Sequence, residues 1–223
     1  MIQPPLHWPA GPERPVLMPG EIHIWRTYLD NAARLAAAES VLSRDEALKA
    51  GRLVFAQDRN RFIAAHGALR MVLASYLAAD PSALEFKIGV MGKPDLVQTF
   101  TDLRFNLSHS GNLALIAVTR GRDVGVDLEL IQEDMAYEQI VEHYFDPAEV
   151  WSLRTAPPPA RAARFFDLWT RKEACLKAEG SGLGAVPSPR QFVVRNLNPA
   201  QGYAGAIASE GEDWKLACWD WSL

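Results

Sequence analysis

Asp123-Val124-Gly125-Val126-Asp127-Leu128-Glu129-Leu130 alternates apolar and acidic residues, the period-two pattern of a β-strand with one buried face. Val124, Val126, Leu128 and Leu130 share the apolar face. Asp127 and Glu129 share the other, roughly 7 Å apart because strand residues rise about 3.3 Å each, and that face is expected to meet solvent. One hard cation can bridge carboxylates at this spacing. Mg²⁺ prefers six oxygens at about 2.1 Å and keeps waters, so two carboxylates hold it poorly and substrate phosphates usually complete its shell. The strand therefore points to a phosphate-bearing ligand, with a plain solvated acidic face as the alternative that this stretch alone leaves open.

Immediately upstream, Phe105-Asn106-Leu107 reads as a strand ending in Ser108-His109-Ser110-Gly111, and residues 113–118 form another before the turn Arg120-Gly121-Arg122. The acidic strand is then the third of a small antiparallel meander presenting Ser108, His109, Asp127 and Glu129 from neighbouring elements. Before it, Gly89-Val90-Met91-Gly92-Lys93-Pro94 is a loop of the kind found near ligands. A helix is expected over residues 58–79, with Phe62, Ala65, His66, Leu69, Leu73 and Tyr76 as a core stripe in which His66 is packed. Ser43-Arg44-Asp45-Glu46 resembles a helix N-cap with acidic first-turn residues. Residues 21–25 alternate like a first strand with His23 on its surface, and residues 1–20, with six prolines, form an extended lead-in.

Downstream, residues 123–153 hold nine acidic side chains and no lysine or arginine. Two short helices are expected there, broken near Phe145-Asp146-Pro147. Residues 155–159 are a linker, residues 161–179 a second long helix closed by Gly180-Ser181-Gly182, and residues 191–195, 203–209 and 214–220 the last strands. Arg61-Phe62-Ile63 opens one long helix and Arg164-Phe165-Phe166 the other, a weak internal repeat. The fold expected is α+β with two similar subdomains related by a pseudo-twofold, each a small antiparallel sheet packed with a long helix. Residues 21–122 make the N-terminal subdomain and 123–223 the C-terminal one. Clefts between such halves are common ligand sites.

The composition sets limits on partners. With 223 residues, 48% of them hydrophobic, there is ample apolar material for a core. A net charge of −4 and a pI near 5.8 give no global attraction to nucleic acid or anionic membrane, so phosphate binding must rest on local cations. No signal-peptide core and no membrane-length apolar run occur, so a cytoplasmic location is expected. Cys175 and Cys218 are too few for a disulfide framework and lack metal-ligand spacing.

In the second long helix, Trp169, Glu173 and Lys177 recur every four residues and share one face. Alone, Glu173 and Lys177 read as an ion pair worth about 0.3–0.5 kcal/mol. Beside the acidic strand they also suit a third metal-side carboxylate and a phosphate-binding ammonium.

Four motifs now stand in order: Gly92-Lys93-Pro94; Phe105 to Ser110; Gly125-Val126-Asp127-Leu128-Glu129; and Trp169-x-x-Lys172-Glu173-x-x-x-Lys177-x-x-Gly180-x-Gly182-Leu183. Over roughly residues 20–220 the chain resembles the 4′-phosphopantetheinyl transferases, specifically the larger, surfactin-synthetase-activating class of pseudo-dimeric monomers. The resemblance implies transfer of the phosphopantetheine arm of coenzyme A to a serine of an apo acyl or peptidyl carrier protein, releasing adenosine 3′,5′-bisphosphate. It implies that Asp127, Glu129 and Glu173 hold Mg²⁺ and that Glu173 is the base. Lys177 would stabilise the transferred phosphoryl group. Ser108 and His109 would grip the phosphates, Lys49, Arg61 and Lys93 the 3′-phosphate, with Pro94 and Lys172 also on the coenzyme. The acidic stretch after Glu129 speaks against electrostatic docking of an acidic carrier there, leaving apolar contacts around Tyr137, Ile140, Tyr144 and Phe145. A non-catalytic Mg²⁺-coenzyme A or nucleotide-binding protein is the rival reading; it would not need the full helix motif.

Overall fold

Two sheets, each covered by a long helix, follow from the alternating apolar stretches and the two apolar helical stripes. The computed structural model describes residues 8–89, 92–97, 101–181 and 191–221. In the first half, β1 (Glu21–Tyr28) leads through α1 (Ala32–Ser40) and α2 (Arg44–Gly51) to the 22-residue α3 (Ala56–Leu77). The hairpin of β2 (Phe86–Ile88) and β3 (Pro94–Leu96) precedes the antiparallel pair β4 (Leu103–Ser110) and β5 (Leu113–Arg120). The second half opens on the acidic stretch, β6 (Val124–Leu130). There follow α4 (Glu138–Tyr144), α5 (Pro147–Thr155), α6 (Arg161–Glu179), β7 (Phe192–Leu197), β8 (Tyr203–Glu210) and β9 (Lys215–Asp220). The fold is α+β with two similar halves.

Local chemistry fixes the helix ends. Ser43 and Glu46 form a reciprocal capping box at α2, as do Asp146 and Glu149 at α5, where Pro147 takes the first turn. Gly180 ends α6 in the left-handed region at φ 73°, which costs a glycine nothing.

The strand orders are β4-β5-β1-β9 and β6-β8-β7. Two results differ from the sequence expectation. First, β6 does not extend the β4–β5 pair as a third meander strand; it begins the second sheet by pairing with β8. Side chains join it to β4 instead. Asn106, Ser108 and Ser110, every second residue of β4, accept hydrogen bonds from the backbone N–H groups of Val126, Leu128 and Leu130 at 2.8, 3.2 and 3.1 Å. Backbone donors on a buried seam need partners, and a polar side-chain row supplies them. Second, β9 crosses from the second half and pairs parallel with β1. This puts β1 in the middle of its sheet and buries His23, whose Nδ1 lies 2.7 Å from the Tyr76 hydroxyl while Trp219 packs edge-on at 4.4 Å. The surface position expected for His23 is thus corrected; burial pushes its pKa down.

One core lies between α3 and the first sheet, from Trp25, Leu69, Val72, Leu73, Phe105 and Ile116. A second joins the sheets, with Ile22, Ile24, Leu113 and Leu115 against Val124, Val126, Leu128 and Ile207. Full burial of each such side chain contributes about 1.5–3 kcal/mol. On the other face of β6, a Cβ built on Gly125 would stand 2.1 Å from the Ala174 carbonyl oxygen and 2.2 Å from the Ala178 nitrogen. The missing side chain therefore lets the α6 backbone rest directly on the strand.

Candidate active site

That close approach covers the acidic face of β6. Asp127, expected at the surface, is only 2% exposed. Its Oδ1 accepts from the Lys177 ammonium at 2.5 Å and from the Ser108 hydroxyl at 3.0 Å, and Lys177 also donates to Ser108 Oγ at 3.0 Å. Lys177 thus turns to the strand rather than to Glu173 one turn earlier on its own helix. Charge-assisted bonds of this kind are short and strong. Three elements, β4, β6 and α6, meet in this knot.

The other carboxylates carry the electrostatic imprint of Asp127. Glu129 accepts from the Ser110 hydroxyl at 2.8 Å. Its pKa is raised, chiefly by burial and further by the charges of Asp127 and Glu173. Glu173 is raised by burial and then by Asp127, with Lys177 opposing. The Lys177 ammonium faces three acids, and Asp127 Oδ2 is buried with no hydrogen-bond partner among the described residues. The donor set is all carboxylate oxygen, which suits a hard divalent cation. Among the described residues no three acidic, His or Cys side chains are gathered closely enough to hold an ion by themselves.

Beside the knot opens a cleft of about 820 Å³, lined by β4 residues Ser108 and His109, by Lys177, by Pro94 and by one wall from α2 and α3. That wall brings Lys49, Arg52 and His66. Lys49 and Arg52 are exposed, and neither has a salt-bridge partner among the described residues. His66, expected within the core stripe, is half-buried in the cleft wall, stacked on Phe62 at 4.0 Å with Nδ1 3.5 Å from Glu46. Glu46 in turn is bonded by Arg70 and by the Ser43 N–H group. Burial opposes its charge, but these partners hold its pKa down at about 2. His109 is pushed down by burial first, then by the charges of His66 and Lys177.

The structure gathers Ser108, His109, Pro94, Lys49 and Lys177 at the cleft, with Asp127, Glu129 and Glu173 coupled at the neighbouring knot. It places three other candidates elsewhere. Arg61 makes a two-bond pair with Asp30 at 2.8 and 2.7 Å, off the cleft. Lys93 donates to the carbonyls of Val124 and Ala178, both at 3.1 Å, tying the end of α6 to the start of β6. Lys172 bonds Glu149 at 2.7 Å and lies over the Phe145 ring. Arg52 escaped the sequence reading; its signal was a position three residues after Lys49, on the same helix face. Gly182 and Leu183 of the last motif lie outside the described residues, as do Val90 and Met91 of the glycine loop.

Fold and site together define a two-half protein with an acidic, lysine-bearing knot beside a cleft lined by Lys49 and Arg52. A family described as the 4′-phosphopantetheinyl transferase superfamily matches residues 123–221, and one described as 4′-phosphopantetheinyl transferase, N-terminal, matches residues 25–121. The 4′-phosphopantetheinyl transferase HetI of Nostoc sp. is 35% identical over 230 residues, 95% of this chain and 97% of that one. A 4′-phosphopantetheinyl transferase of Bacillus subtilis is 29% identical over 150 residues, 67% of this chain and 64% of that one. The chain belongs to the 4′-phosphopantetheinyl transferases, of the larger type, and is an enzyme of that class. Among the described residues no helix is long and apolar enough to cross a membrane.

Proposed function

We propose that this transferase moves the 4′-phosphopantetheine arm of coenzyme A onto a serine of an apo acyl or peptidyl carrier protein, with Mg²⁺, and releases adenosine 3′,5′-bisphosphate. It acts as a monomer in the cytoplasm. The observation that carries the reading is the Asp127–Lys177–Ser108 knot at the edge of a cleft lined by the cations Lys49 and Arg52.

Lys49 and Arg52 hold phosphate oxygens of the coenzyme by charge-assisted bonds, with His109 and Ser108 alongside. Mg²⁺, when bound, neutralises charge on the pyrophosphate, and Asp127, Glu129 and Glu173 are the residues that would hold it. Lys177, fixed by Asp127 and Ser108, places its ammonium where negative charge grows as the phosphoanhydride bond breaks. Glu173, on α6 one turn before Lys177, is the carboxylate that would take the proton of the incoming serine. The serine oxygen then bonds to the phosphorus bearing the pantetheine arm, and adenosine 3′,5′-bisphosphate leaves with the electron pair.

Incubation with coenzyme A, an apo-carrier and Mg²⁺, followed by chromatography of the nucleotides, tests the reading. One adenosine 3′,5′-bisphosphate per modified carrier is expected. Tight coenzyme A binding with no released nucleotide would make the protein a binder instead.

A further inference from the structure

The proposed function gives Lys93 of the glycine loop no task. Gly92 and Pro94 line the coenzyme cleft, but Lys93 between them does not. Its backbone is held where β3 begins: the Lys93 carbonyl accepts from the Gly89 N–H group at 2.8 Å, and Gly92 before it turns at φ 85°, a left-handed conformation open to glycine. The lysine side chain crosses instead to the second half of the chain. There its ammonium donates to the carbonyls of Val124 and Ala178, both at 3.1 Å.

Both acceptors have a physical reason to need it. The last four carbonyls of a helix find no partner within the helix, and Ala178 is the last residue but one of α6. A cation there also offsets the negative end of the helix dipole. Lys177, the helix's own basic residue in that turn, is spent on Asp127 and Ser108. Val124 adjoins Gly125, the residue on which main-chain atoms of Ala174, Lys177 and Ala178 rest. That rest is a van der Waals contact, weak per atom pair and without direction. One ammonium bonded to a carbonyl on each side of it clamps the strand to the helix.

We infer that Lys93 is a positioning residue: by clamping the last turn of α6 to the start of β6 it sets where the Lys177 ammonium stands against Asp127, and it does not contact the coenzyme. The inference rests on the proposed function, in which Lys177 acts on the phosphoryl group. Lys177 directly precedes the clamped Ala178, so a shift of that turn carries its ammonium along. Asp127 is fixed independently, by the pairing of β6 with β8 and by the bonds from Val126 and Leu128 to β4. Loosening the clamp therefore changes the relation of the two. Lys49, Arg52, Ser108 and His109 come from α2, its C-terminal end and β4, outside α6, and stay where they are. Rate and coenzyme binding should then separate.

The test is steady-state transfer by Lys93→Met, which keeps the stem and removes the ammonium, with coenzyme A and with dephospho-coenzyme A as donors. At saturating donor and carrier, kcat should fall about 10- to 100-fold, the scale set by displacing a catalytic group by up to about 1 Å. KM for either donor should stay within about twofold of wild type. A rise in the KM of coenzyme A that spares dephospho-coenzyme A would make Lys93 a 3′-phosphate ligand and overturn the inference. An unchanged kcat with a lowered melting temperature would leave it a structural tie only, and also overturn it. Hydrogen exchange supplies a readout apart from transfer. The amides of Gly180 and Ser181 bond the Leu176 carbonyl, and their exchange should quicken in Lys93→Met as the turn loosens; unchanged exchange contradicts the clamp. Should Lys93→Met fail to fold at the assay temperature, Lys93→Gln is read by the same criteria. Quickened exchange and unaltered calorimetric binding of coenzyme A, with no transfer by wild type, would keep the clamp and sink the transfer reading.

Discussion

Gly125→Ala adds one methyl group where the structure has no room for it. The new Cβ would sit 2.1 Å from the Ala174 carbonyl oxygen, 2.2 Å from the Ala178 nitrogen and 2.8 Å from the Lys177 carbonyl carbon, against about 3.4 Å for ordinary contact. All three are main-chain atoms of α6, so no rotamer change relieves the clash. The helix must lift by about 1.3 Å (3.4 − 2.1). Overpacking usually costs 1–3 kcal/mol, and an all-backbone clash belongs at the top, about 3 kcal/mol. For a chain of this size that lowers the melting temperature by roughly 6–12 °C. The lifted helix carries Glu173 and Lys177, and a displacement of about 1 Å from productive geometry can cost about 100-fold in rate. Thermal unfolding and carrier-transfer kinetics measure both effects. Gly205→Ala is the control, since its nearest atom would be 3.3 Å away and a few tenths of an ångström suffice. Trimming Ala174 or Ala178 to glycine should not rescue Gly125→Ala, because the obstructing atoms are peptide. A Gly125→Ala protein that melts within about 2 °C of wild type and transfers normally would refute the packing of α6 on β6.

Arg52→Ala should weaken coenzyme A binding by about 1.5–3 kcal/mol and dephospho-coenzyme A much less, whereas Arg61→Ala, removed to its pair with Asp30, should leave both unchanged; calorimetry with the two ligands decides. Asp127→Asn keeps the shape and removes the charge, so transfer should fall about 10²–10³-fold, while NMR titration should show the raised pKa values of Glu129 and Glu173 falling. Glu46→Gln should lower stability at pH 7, because its partners hold the folded carboxyl at about 2 against an ordinary 4.5, and a carboxylate held down in the fold stabilises it above its unfolded pKa. That stabilisation is present above pH 4.5 and fades towards pH 2, so denaturant titrations of wild type and variant should converge as the pH falls through this window.

Legibility in the sequence followed the range of the interaction. The alternation of β6, the Arg161–Glu179 helix and its Gly180 stop are encoded within a few residues of themselves, and all three stand as expected. The partner of β6 was not legible, because the bond to β4 runs through the side chains of Asn106, Ser108 and Ser110, which in sequence look like a polar strand end. His23 is buried by a strand nearly two hundred residues away, and β1 gives no local sign of having a neighbour on each side. In the site, Asp127 was found by its pattern, but its burial depends on Gly125 admitting the α6 backbone. Lys93 and Arg61 carry the right charge; their actual partners, two carbonyls and Asp30, are set by tertiary contact alone.

The central claim is that the Asp127–Glu129–Glu173–Lys177 arrangement performs metal-assisted transfer to a carrier serine. Intact-mass spectrometry of an apo-carrier after incubation with the protein, coenzyme A and Mg²⁺, with and without excess chelator, tests it most directly. The account predicts a carrier heavier by one phosphopantetheine arm, placed on a serine by fragmentation, with the gain lost on chelation and its initial rate about 10²–10³-fold lower in Asp127→Asn. An unmodified carrier in the presence of Mg²⁺, full modification under chelator, or a wild-type rate in Asp127→Asn would contradict it.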